Sequence, residues 1–515
     1  MKEATGKGNK EVKDTLLSNE LKPLFDSLAK KGIGKVSIGT MMEPLEKEGI
    51  LPEDIRVKEG LGKFNNSKEL NEEEFNKFLE GRSTGLFKKA ILNKLAIPDF
   101  VGFCKDIEQI YNLTKGIKEG EAGTSKGANR YAVSVCSVDG QRYQVGNHQK
   151  QFPLQSVCKP INYAIALHEM GESKVHQHVG REPSGREYNG LVLNKENRPH
   201  NPLINAGAIM TCSLIQPGLN VAKRHQHVKE IWSRLCGKSK VGFNEEVAGA
   251  HGKSNQRNMA LSYYMLEMGA FPDNTDIYET MDLYNKCCGI EVDTDQLAMA
   301  AATLANGGFC PTTGDQVFDS PNVRDCLSLM LSCGMYDYSG EFAFLVGLPA
   351  KSGVSGAMMV VVPGLMGLAI YSPPLDSLGN TVRGVEFCKE LVNKYSLHKY
   401  DFVVEASGKK DLEDTKMQSS LDAIIHLCWA AGQGDLREIQ TLMAQGVSAD
   451  IANFDQRTPL HLAAAEGHYK VVEYLLEHGV KPNPKDRWQN TPLSDAEYGN
   501  HPKVAALLRK KGGGK

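Results

Sequence analysis

Ser156 and Lys159 stand three positions apart in QFPLQSVCKP, where a loop with Pro153 gives way to an apolar-periodic run. Side chains at positions i and i+3 of a helix share one face, so the hydroxyl and the amine would lie side by side. Burial and the positive end of a helix both favour a neutral amine, which could take the serine proton and create a nucleophile. The ordinary alternative is a serine that caps a helix, followed by a solvated lysine.

A second motif strengthens the catalytic interpretation, because S-x-x-K by itself is frequent. The same pattern recurs at Ser27/Lys30, Ser396/Lys399 and Ser407/Lys410. Lys351-Ser352-Gly353, however, is the one K-[ST]-G in the chain, and it directly precedes an apolar stretch. This order of motifs resembles the penicillin-binding and serine β-lactamase class, in which an edge strand offers a backbone N–H to the developing oxyanion.

The apolar stretch and an upstream hairpin predict the strands that would carry such a site. MMVVVPGLMGLAIY (358–371) is interrupted by Pro363 and two glycines and is too short to span a bilayer. It predicts two buried strands joined by a turn. RYAVSVCSVDGQRYQVG has two β-rich runs around Asp139-Gly140, which predicts a hairpin.

Composition narrows the class of protein and of partner. The chain has 515 residues, 41% hydrophobic, with a formal net charge of -2. The near balance of charge argues against nucleic acid or a membrane surface as the main partner and favours a small substrate. The twelve cysteines are scattered without paired CxxC spacing, which indicates a reducing compartment. Neither a secretory nor a mitochondrial leader is visible at the N-terminus, and removal of a leader stays open.

Two H-x-H pairs have a spacing that is seen in metal-binding sites. They are His176/His178 and His225/His227, and neither has an evident acidic or cysteine partner as a third ligand. Without a third ligand the pattern is only suggestive, so we predict ordinary surface histidines and no metal site.

Changes in composition and periodicity along the chain predict several domains. Acidic loops in the first helical part lack the D-x-D-x-D-G calcium spacing, so that part is EF-hand-like without calcium. The predicted ranges are a disordered 1–20, a helical domain 21–113, a linker or mobile loop 114–129, a mixed catalytic domain 130–400, a linker 401–420 and a repeat domain 421–511.

The C-terminal part contains an internal repeat. Thr458 and Thr491 begin two T-P-L units 33 residues apart, and Gly434 precedes Gly467 by the same interval in a more divergent copy. This period is typical of ankyrin repeats, whose helix pairs bury their apolar faces only by stacking. The repeats either bind a protein partner or serve as a packing module for the chain's own assembly.

Long segments extend these motifs to a family resemblance. LQSVCKPINYAIAL, GREPSGREYNGLVLNKENRPHNPLINAGAI, QRNMALSYYM, ATLANGGFCP and SCGMYDYSGEFAFLVGLPAKSGV are similar to the glutaminase family of the serine-dependent β-lactamase-like fold. With the N-terminal helical part and the ankyrin tail, the chain resembles the animal kidney- and liver-type branch. The resemblance implies an α+β fold and the hydrolysis of L-glutamine to glutamate and ammonia without a metal or organic cofactor.

The resemblance also implies catalytic roles. Ser156 would attack the side-chain amide carbonyl of glutamine while Lys159 accepts its proton, which gives an acyl-enzyme. Tyr336 in CGMYDYSG matches a tyrosine that contacts the reacting amide and relays a proton, a role suited to a phenol with a lowered pKa beside two lysines. The backbone N–H of Val354 would complete an oxyanion hole with that of Ser156. Ser156, Tyr336 and Val354 would thereby also contact the substrate.

Three further positions match family residues that hold the charged ends of the amino acid. They are Asn205 in NAGAI, Asn258 in QRN and Tyr284 in DLYNKCC. Apart from the resemblance, Asn205 could cap a helix and Tyr284 could be a core aromatic.

Two recognition positions depart from the family pattern. Glu119 stands 37 residues before Ser156, where the family has a tyrosine that reaches the substrate head group. His251 stands seven residues before Asn258, where the family has a glutamate that pairs with the substrate ammonium. An imidazole cannot replace a carboxylate facing an ammonium ion, so we predict an amidase with weakened or altered substrate binding.

The loop REYNGLVLNK matches a segment that lies near the active-site entrance and at a tetramer contact in animal members. Tyr188, Leu191 and Val192 are its candidate gate or anchor residues. The family implies a homotetramer or filament in the mitochondrial matrix, with the cytoplasm as the alternative. Two other functions stay open: a catalytically weak, ankyrin-bearing scaffold and, more remotely, a peptide-directed acyl-transferring enzyme.

Overall fold

The computed structural model describes residues 25–26, 28–29, 34–52, 54–61, 69–79, 85–91, 94–122, 129–185, 190–249, 253–403, 408–412, 426–444, 447–453 and 455–514. The chain divides into two compact units, one of Asp99–Leu412 and one that combines Met1–Pro98 with Glu413–Lys515. The predicted disorder of residues 1–20 falls outside the described residues, and the predicted domain limits stay predictions.

The larger unit mixes helices with short strands. Its helices are α1 (Phe100–Lys115), α2 (Lys159–Met170), α3 (Glu172–Val175), α4 (Asn205–Leu214), α5 (Val221–Leu235), α6 (Glu245–Ala248), α7 (Lys253–Glu267), α8 (Ile277–Cys288), α9 (Thr294–Ala305), α10 (Ser320–Cys333), α11 (Ser339–Leu345) and α12 (Val382–Lys394). Its strands are β1 (Glu121–Ala122), β2 (Ala132–Ser137), β3 (Arg142–Gly146), β4 (Phe152–Pro153), β5 (Gly242–Phe243), β6 (Ile290–Val292), β7 (Ala350–Ser352), β8 (Ala357–Val362), β9 (Met366–Tyr371) and β10 (Pro374–Leu375). Within the described ranges, we find no helix long and apolar enough to cross a membrane.

The central sheet is antiparallel, with strand order β3-β2-β9-β8-β7. Both predicted strand pairs are confirmed. Strands β8 and β9 pair with Ala357 opposite Tyr371, and Gly364 takes a positive φ of 77° in the turn between them. Strands β2 and β3 form the hairpin around Asp139-Gly140, where Gly140 has a φ of 86°. Strand β7, which carries Lys351 and Ser352, is left at the edge of the sheet.

Helices cover both faces of this sheet, which explains why β8 and β9 are buried along their whole length. Met359 and Ala369 face the core that contains the small residues of α9. Gly367 allows close contact there, because a Cβ at this position would lie 2.1 Å from the backbone nitrogen of Ala302. On the other face, Met358 packs near Gly384 of α12. The predicted α+β architecture is therefore confirmed.

The smaller unit contains the remaining predicted elements. In its N-terminal part, strand Val36–Ser37 pairs antiparallel with Glu69–Leu70 between helices. Its C-terminal part has three helix pairs, formed by 426–433 with Leu436–Ala444, Pro459–Ala465 with Tyr469–Glu477, and Pro492–Tyr498 with Pro502–Lys510. These helix pairs share one buried core, as stacked repeats require.

The 33-residue period of the repeats is visible in their backbone. Thr458 and Thr491 each begin a helix with a capping box. Gly434 and Gly467 have φ angles of 73° and 74°, a conformation that favours glycine. The predicted repeat is thus confirmed at equivalent positions.

Candidate active site

Ser156 lies in a turn of 3₁₀ helix, Gln155–Cys158, that leads directly into α2. The backbone N–H of Lys159 donates to the carbonyl of Ser156, which is the i to i+3 bond of such a turn. Side chains three positions apart in a 3₁₀ turn are eclipsed, so Ser156 and Lys159 project from the same side. Gln155 has a left-handed φ of 45°, a strained conformation for a non-glycine residue at the base of the turn.

Lys159 is fully buried, and its amine is held by a chain of amides. Its Nζ donates to Asn205 Oδ1 at 2.6 Å, and Asn205 Nδ2 donates to Asn258 Oδ1 at 3.0 Å. Burial lowers the pKa of Lys159 from 10.5 to about 8, although nearby cysteines act in the opposite direction. The structure therefore gives the amine the property of a base that works near neutral pH.

The side chain of Asn205 does not cap a helix. The N-cap of α4 is Ile204, without a side-chain cap, and Asn205 is the first residue of that helix. The preceding backbone N–H groups of Leu203 and Ile204 instead donate to Asn201 Oδ1, at 3.0 and 3.2 Å. The capping alternative is thus wrong, and the side chain of Asn205 is free to link Lys159 with Asn258.

The K-S-G segment lies against the serine turn. A Cβ added at Gly353 would meet Val157 Cγ2 at 3.0 Å and the carbonyl oxygen of Leu154 at 3.1 Å. The two motifs, almost 200 residues apart in the chain, are therefore packed together. Val354, the next residue, is half-buried and follows the edge strand β7 in a turn.

Lys351 is a second buried lysine at this site. Its Nζ donates to the carbonyls of Gly334 at 2.9 Å and Ser352 at 2.6 Å. Burial is the main cause that holds the pKa of Lys351 well below 10.5, and the nearby charge of Lys159 lowers it further. Two amines with this environment repel each other's protons, which favours at least one neutral amine.

Tyr336 lies beside Lys351, whose Nζ is 4.3 Å from the centroid of the tyrosine ring. Tyr336 has a φ of 55°, so its backbone is also in the left-handed region. Ser339 Oγ donates to the Tyr336 carbonyl at 2.6 Å, and Asn380 Nδ2 donates to the neighbouring carbonyl of Met335 at 3.3 Å. These bonds fix a strained turn that aims the buried tyrosine side chain.

A cavity of about 480 Å³ opens beside Tyr336. Its lining includes Ile204, which directly precedes Asn205, and the segment Pro183–Gly185. That segment leads into residues 186–189, so the predicted entrance residue Tyr188 lies outside the described residues. Of its two companions, Leu191 is exposed and Val192 is half-buried.

The remaining predicted recognition residues differ in their placement. Asn258 is buried on α7 and Tyr284 is buried on α8, where burial raises the pKa of its phenol well above 10. Glu119 is exposed next to Gly120, which packs against Leu375 of β10. His251 falls outside the described residues.

The histidines of the two H-x-H pairs do not all lie at the surface. His176 is buried, with Nε2 at 2.8 Å from the Tyr163 hydroxyl and Nδ1 at 2.9 Å from the Val179 carbonyl. His227 contacts Glu169 at 2.5 Å. The prediction of surface histidines is therefore wrong for His176, because a buried tyrosine and a carbonyl satisfy its ring. Among the described residues we find no group of three histidines, cysteines or acids able to hold a metal ion.

Some residues near the site were not predicted to belong to it. The sequence identifies Lys351 only as part of the K-S-G motif, and it gives no role to Asn162, which lies one turn after Lys159. The helical spacing of Lys159 and Asn162 was the available signal, since the two share a face of α2. Their partners on other elements leave no local signal.

Comparisons with known proteins agree with this architecture. The glutaminase family model matches residues 124–400, an ankyrin-repeat model of three copies matches 427–514, and an EF-hand domain model matches 22–98. A Caenorhabditis elegans protein named putative glutaminase 3 is 40% identical over 458 residues, 85% of this chain and 78% of its own length. The glutaminase liver isoform, mitochondrial, of Rattus norvegicus is 39% identical over 453 residues, 85% of this chain and 75% of its own length. A solved Bacillus subtilis probable glutaminase is 30% identical with a TM-score of 0.52, covering 58% of this chain and 96% of that one.

The fold and its relatives define a hydrolase with a β-lactamase-like fold, which an EF-hand-like domain precedes in the chain and ankyrin repeats follow. Within that class, the chain belongs to the glutaminase family. It is an enzyme that hydrolyses the side-chain amide of L-glutamine.

Proposed function

We propose that Ser156 is the nucleophile and Lys159 the base with which this glutaminase releases L-glutamate and ammonia. The observation that carries the proposal is the buried amine of Lys159, which is hydrogen-bonded to Asn205 and has a pKa of about 8. A lysine in this environment reaches its neutral form near physiological pH, and only the neutral form can accept a proton from serine.

The same arrangement supports a complete acylation step. The neutral amine of Lys159 takes the proton of Ser156 as Oγ attacks the amide carbonyl. The backbone N–H groups of Ser156 and Val354 stabilise the resulting oxyanion, each contributing about 3 kcal/mol by analogy with other hydrolases. Tyr336 gives a proton to the departing nitrogen, so ammonia leaves and an acyl-enzyme remains. Water then attacks that ester and gives a proton to the Tyr336 phenolate, while Lys159 returns its proton to Ser156 Oγ as that oxygen leaves, so glutamate is released and both groups regain their starting protonation.

Lys351 acts in this scheme as a positioning residue. Its amine is tied to the carbonyls of Gly334 and Ser352 and lies over the ring of Tyr336. This packing of the amine against the face of the ring limits the positions that the phenol can take. Asn205 and Asn258 connect the base to the part of the site that we assign to the amino-acid end of glutamine.

The pH dependence of turnover tests the assignment of Lys159. Below the pKa of Lys159, we expect kcat at saturating glutamine to rise about tenfold for each unit of increase in pH, because the neutral fraction of the amine rises about tenfold. The rise should level off near pH 8, where burial has placed that pKa. Glutamate release measured from pH 6 to pH 9 gives the profile.

The variant Lys150→Met provides the control, because this exposed lysine lies outside the site. Its profile should coincide with that of the natural protein. A profile that is flat between pH 6 and pH 8, or that still rises tenfold per unit up to pH 9, would show that Lys159 is not the titrating base.

We propose that glutamine binding is weakened at two positions. The family's tyrosine and glutamate are replaced by Glu119 and His251, and Glu119 precedes a segment that packs on β10. Strand β10 leads into the turn at Gly379, where an added Cβ would lie 3.6 Å from the ring of Tyr336. The segment that follows residue 119 therefore lies beside a strand that leads to the site.

Restoring both family residues should tighten substrate binding. We expect the double variant Glu119→Tyr/His251→Glu to lower the KM for glutamine about tenfold or more, since one charge-assisted contact contributes about 1.5 to 3 kcal/mol. Because neither residue takes part in the acylation step, kcat should change much less. Initial rates over a range of glutamine concentrations separate the two constants, and an unchanged KM would contradict the assignment.

We also propose that the protein works as a homo-oligomer, a tetramer or filament, in the mitochondrial matrix. Support comes from the family resemblance and from the liver-isoform relative, whose name places that protein in mitochondria. The ankyrin repeats add a surface suited to a protein partner.

A further inference from the structure

Four cysteines converge on one side of the proposed catalytic lysine. The amide of Asn162 on α2 donates to Cys158 Sγ at 3.8 Å and to Cys212 Sγ at 3.7 Å. The serine turn packs against α8, where the thiol of Cys158 lies next to that of Cys288, and α4 packs against the same helix, where the thiol of Cys212 lies next to that of Cys287. We name these four cysteines the thiol cluster. They come from the serine turn and from two helices, α4 and α8, so the fold has gathered thiols that are far apart in the sequence.

The cluster touches the proposed catalytic residues directly. Cys158 is the last residue of the turn that holds Ser156, and it immediately precedes Lys159. Cys288 is the last residue of α8 and also contacts the side chain of Tyr284. A change in the bonding of Cys158 therefore acts on the backbone that sets the positions of nucleophile and base.

The pair Cys158/Cys288 differs from the pair Cys212/Cys287 because one of its cysteines is partly exposed to solvent. Cys288 is half-buried, whereas Cys158, Cys212 and Cys287 are buried. The hydrogen bond from Cys158 lowers the pKa of the Cys288 thiol, and the charge of Lys159 lowers it further, against the effect of burial. An accessible thiol that is more easily ionised reacts faster with oxidants.

We propose that Cys158 and Cys288 form a reversible disulfide that switches off glutamine hydrolysis when the protein meets a hydroperoxide. The inference rests on the proposed roles of Ser156 and Lys159. All twelve cysteines lie in the described part of the chain, and they are thiols there. In this proposal the thiol form is the active state, in keeping with the reducing compartment that the sequence indicates.

The chemistry needs only a peroxide and the two thiols. The Cys288 thiolate attacks one peroxide oxygen, the O–O bond breaks, and a sulfenic acid forms while hydroxide takes a proton to leave as water. The Cys158 sulfur then attacks the sulfenic sulfur, an S–S bond replaces the S–O bond, and a second water leaves. Two electrons pass from the two sulfurs to the peroxide, and a dithiol reductant reverses the change.

The disulfide would deform the site because it is much shorter than the contact it replaces. A disulfide joins its sulfurs at about 2.05 Å, well inside the separation of hydrogen-bonded thiols. Cys158 would be drawn toward α8, and Ser156 and Lys159 would move with it. Since a displacement of about 1 Å can lower a rate by about 100-fold, we expect at least a tenfold loss of activity.

The experiment uses the full-length, reduced protein exposed to hydrogen peroxide. Glutamate release is measured before treatment, after treatment and after addition of a dithiol reductant, and peptide mapping identifies the disulfides. The natural protein should lose activity at least tenfold, contain the Cys158–Cys288 disulfide and recover on reduction. Cys288→Ser, compared with its own reduced activity, should resist the oxidant. Cys104→Ser is the matched control, because Cys104 is also half-buried on a helix but lies outside the cluster, and it should respond like the natural protein.

Several outcomes would overturn the proposal. They are an inactivated protein without the Cys158–Cys288 disulfide, a disulfide that leaves activity unchanged, and equal inactivation of Cys288→Ser. A disulfide between Cys212 and Cys287 alone would also contradict it. The peptide map does not depend on turnover, so failure of the switch is distinguishable from failure of the proposed roles of Ser156 and Lys159.

Discussion

Ser156→Ala is expected to lower kcat for glutamine by about 10⁴-fold or more, the magnitude seen when the nucleophile of a serine hydrolase is removed. The hydroxyl is the only atom group lost, and without it no acyl-enzyme can form. The backbone carbonyl of Ser156, which accepts the bond that closes the 3₁₀ turn, is retained. Because Ser156 is only half-buried, we expect the variant to change the free energy of unfolding by less than about 1 kcal/mol. Glutamate release together with the thermal midpoint of unfolding measures both effects.

Another copy of the same motif provides the control for this variant. Ser396 is also half-buried and also stands three residues before a lysine, Lys399, but it lies beyond the end of α12. Ser396→Ala should keep the natural rate. If Ser156→Ala retained more than a tenth of the activity, or if both variants lost it equally, Ser156 would not be the nucleophile.

The chain's local patterns predicted the serine motif but not its backbone geometry. We expected Ser156 at the start of an α-helix, whereas the structure has a 3₁₀ turn before α2. Pro160 is the physical reason, because it has no N–H to donate to the carbonyl four residues earlier and its ring crowds that carbonyl. The carbonyl of Ser156 is therefore paired with the N–H of Lys159, and residues three apart in such a turn have their side chains on the same side.

Long-range partners were beyond the reach of local patterns. Asn205 and Asn258 lie 46 and 99 residues after Lys159, and nothing in their own segments shows that their amides meet the amine. The family resemblance named both residues but not their link to the base. The thiol cluster could not be predicted for the same reason. Its cysteines are scattered in the sequence and come together only because helices α2, α4 and α8 pack against one another. Periodic features, such as the two apolar strands and the 33-residue repeat, were predictable because their signal is contained in one segment.

Lys159→Met should lower kcat about 10³- to 10⁴-fold, since a general base that activates the nucleophile is lost. Methionine is unbranched and apolar, so it suits a fully buried site better than a shorter or charged residue would. The stability of the fold should change little, because two effects oppose each other. A pKa lowered from 10.5 to about 8 corresponds to a cost of about 3 kcal/mol for burying the ammonium, which the variant removes. Against this, Asn205 Oδ1 loses its donor at a cost of about 1 to 3 kcal/mol.

The decisive readout is the combination of lost turnover with a preserved fold and a changed pH profile. The residual activity of Lys159→Met should no longer rise tenfold per pH unit below pH 8, because the titrating amine is absent. Lys399→Met, in the motif copy outside the site, should keep both the rate and the profile. Retention of the natural pH dependence in Lys159→Met would assign the titration to another group, with the buried amine of Lys351 as the next candidate because its pKa is also lowered by burial.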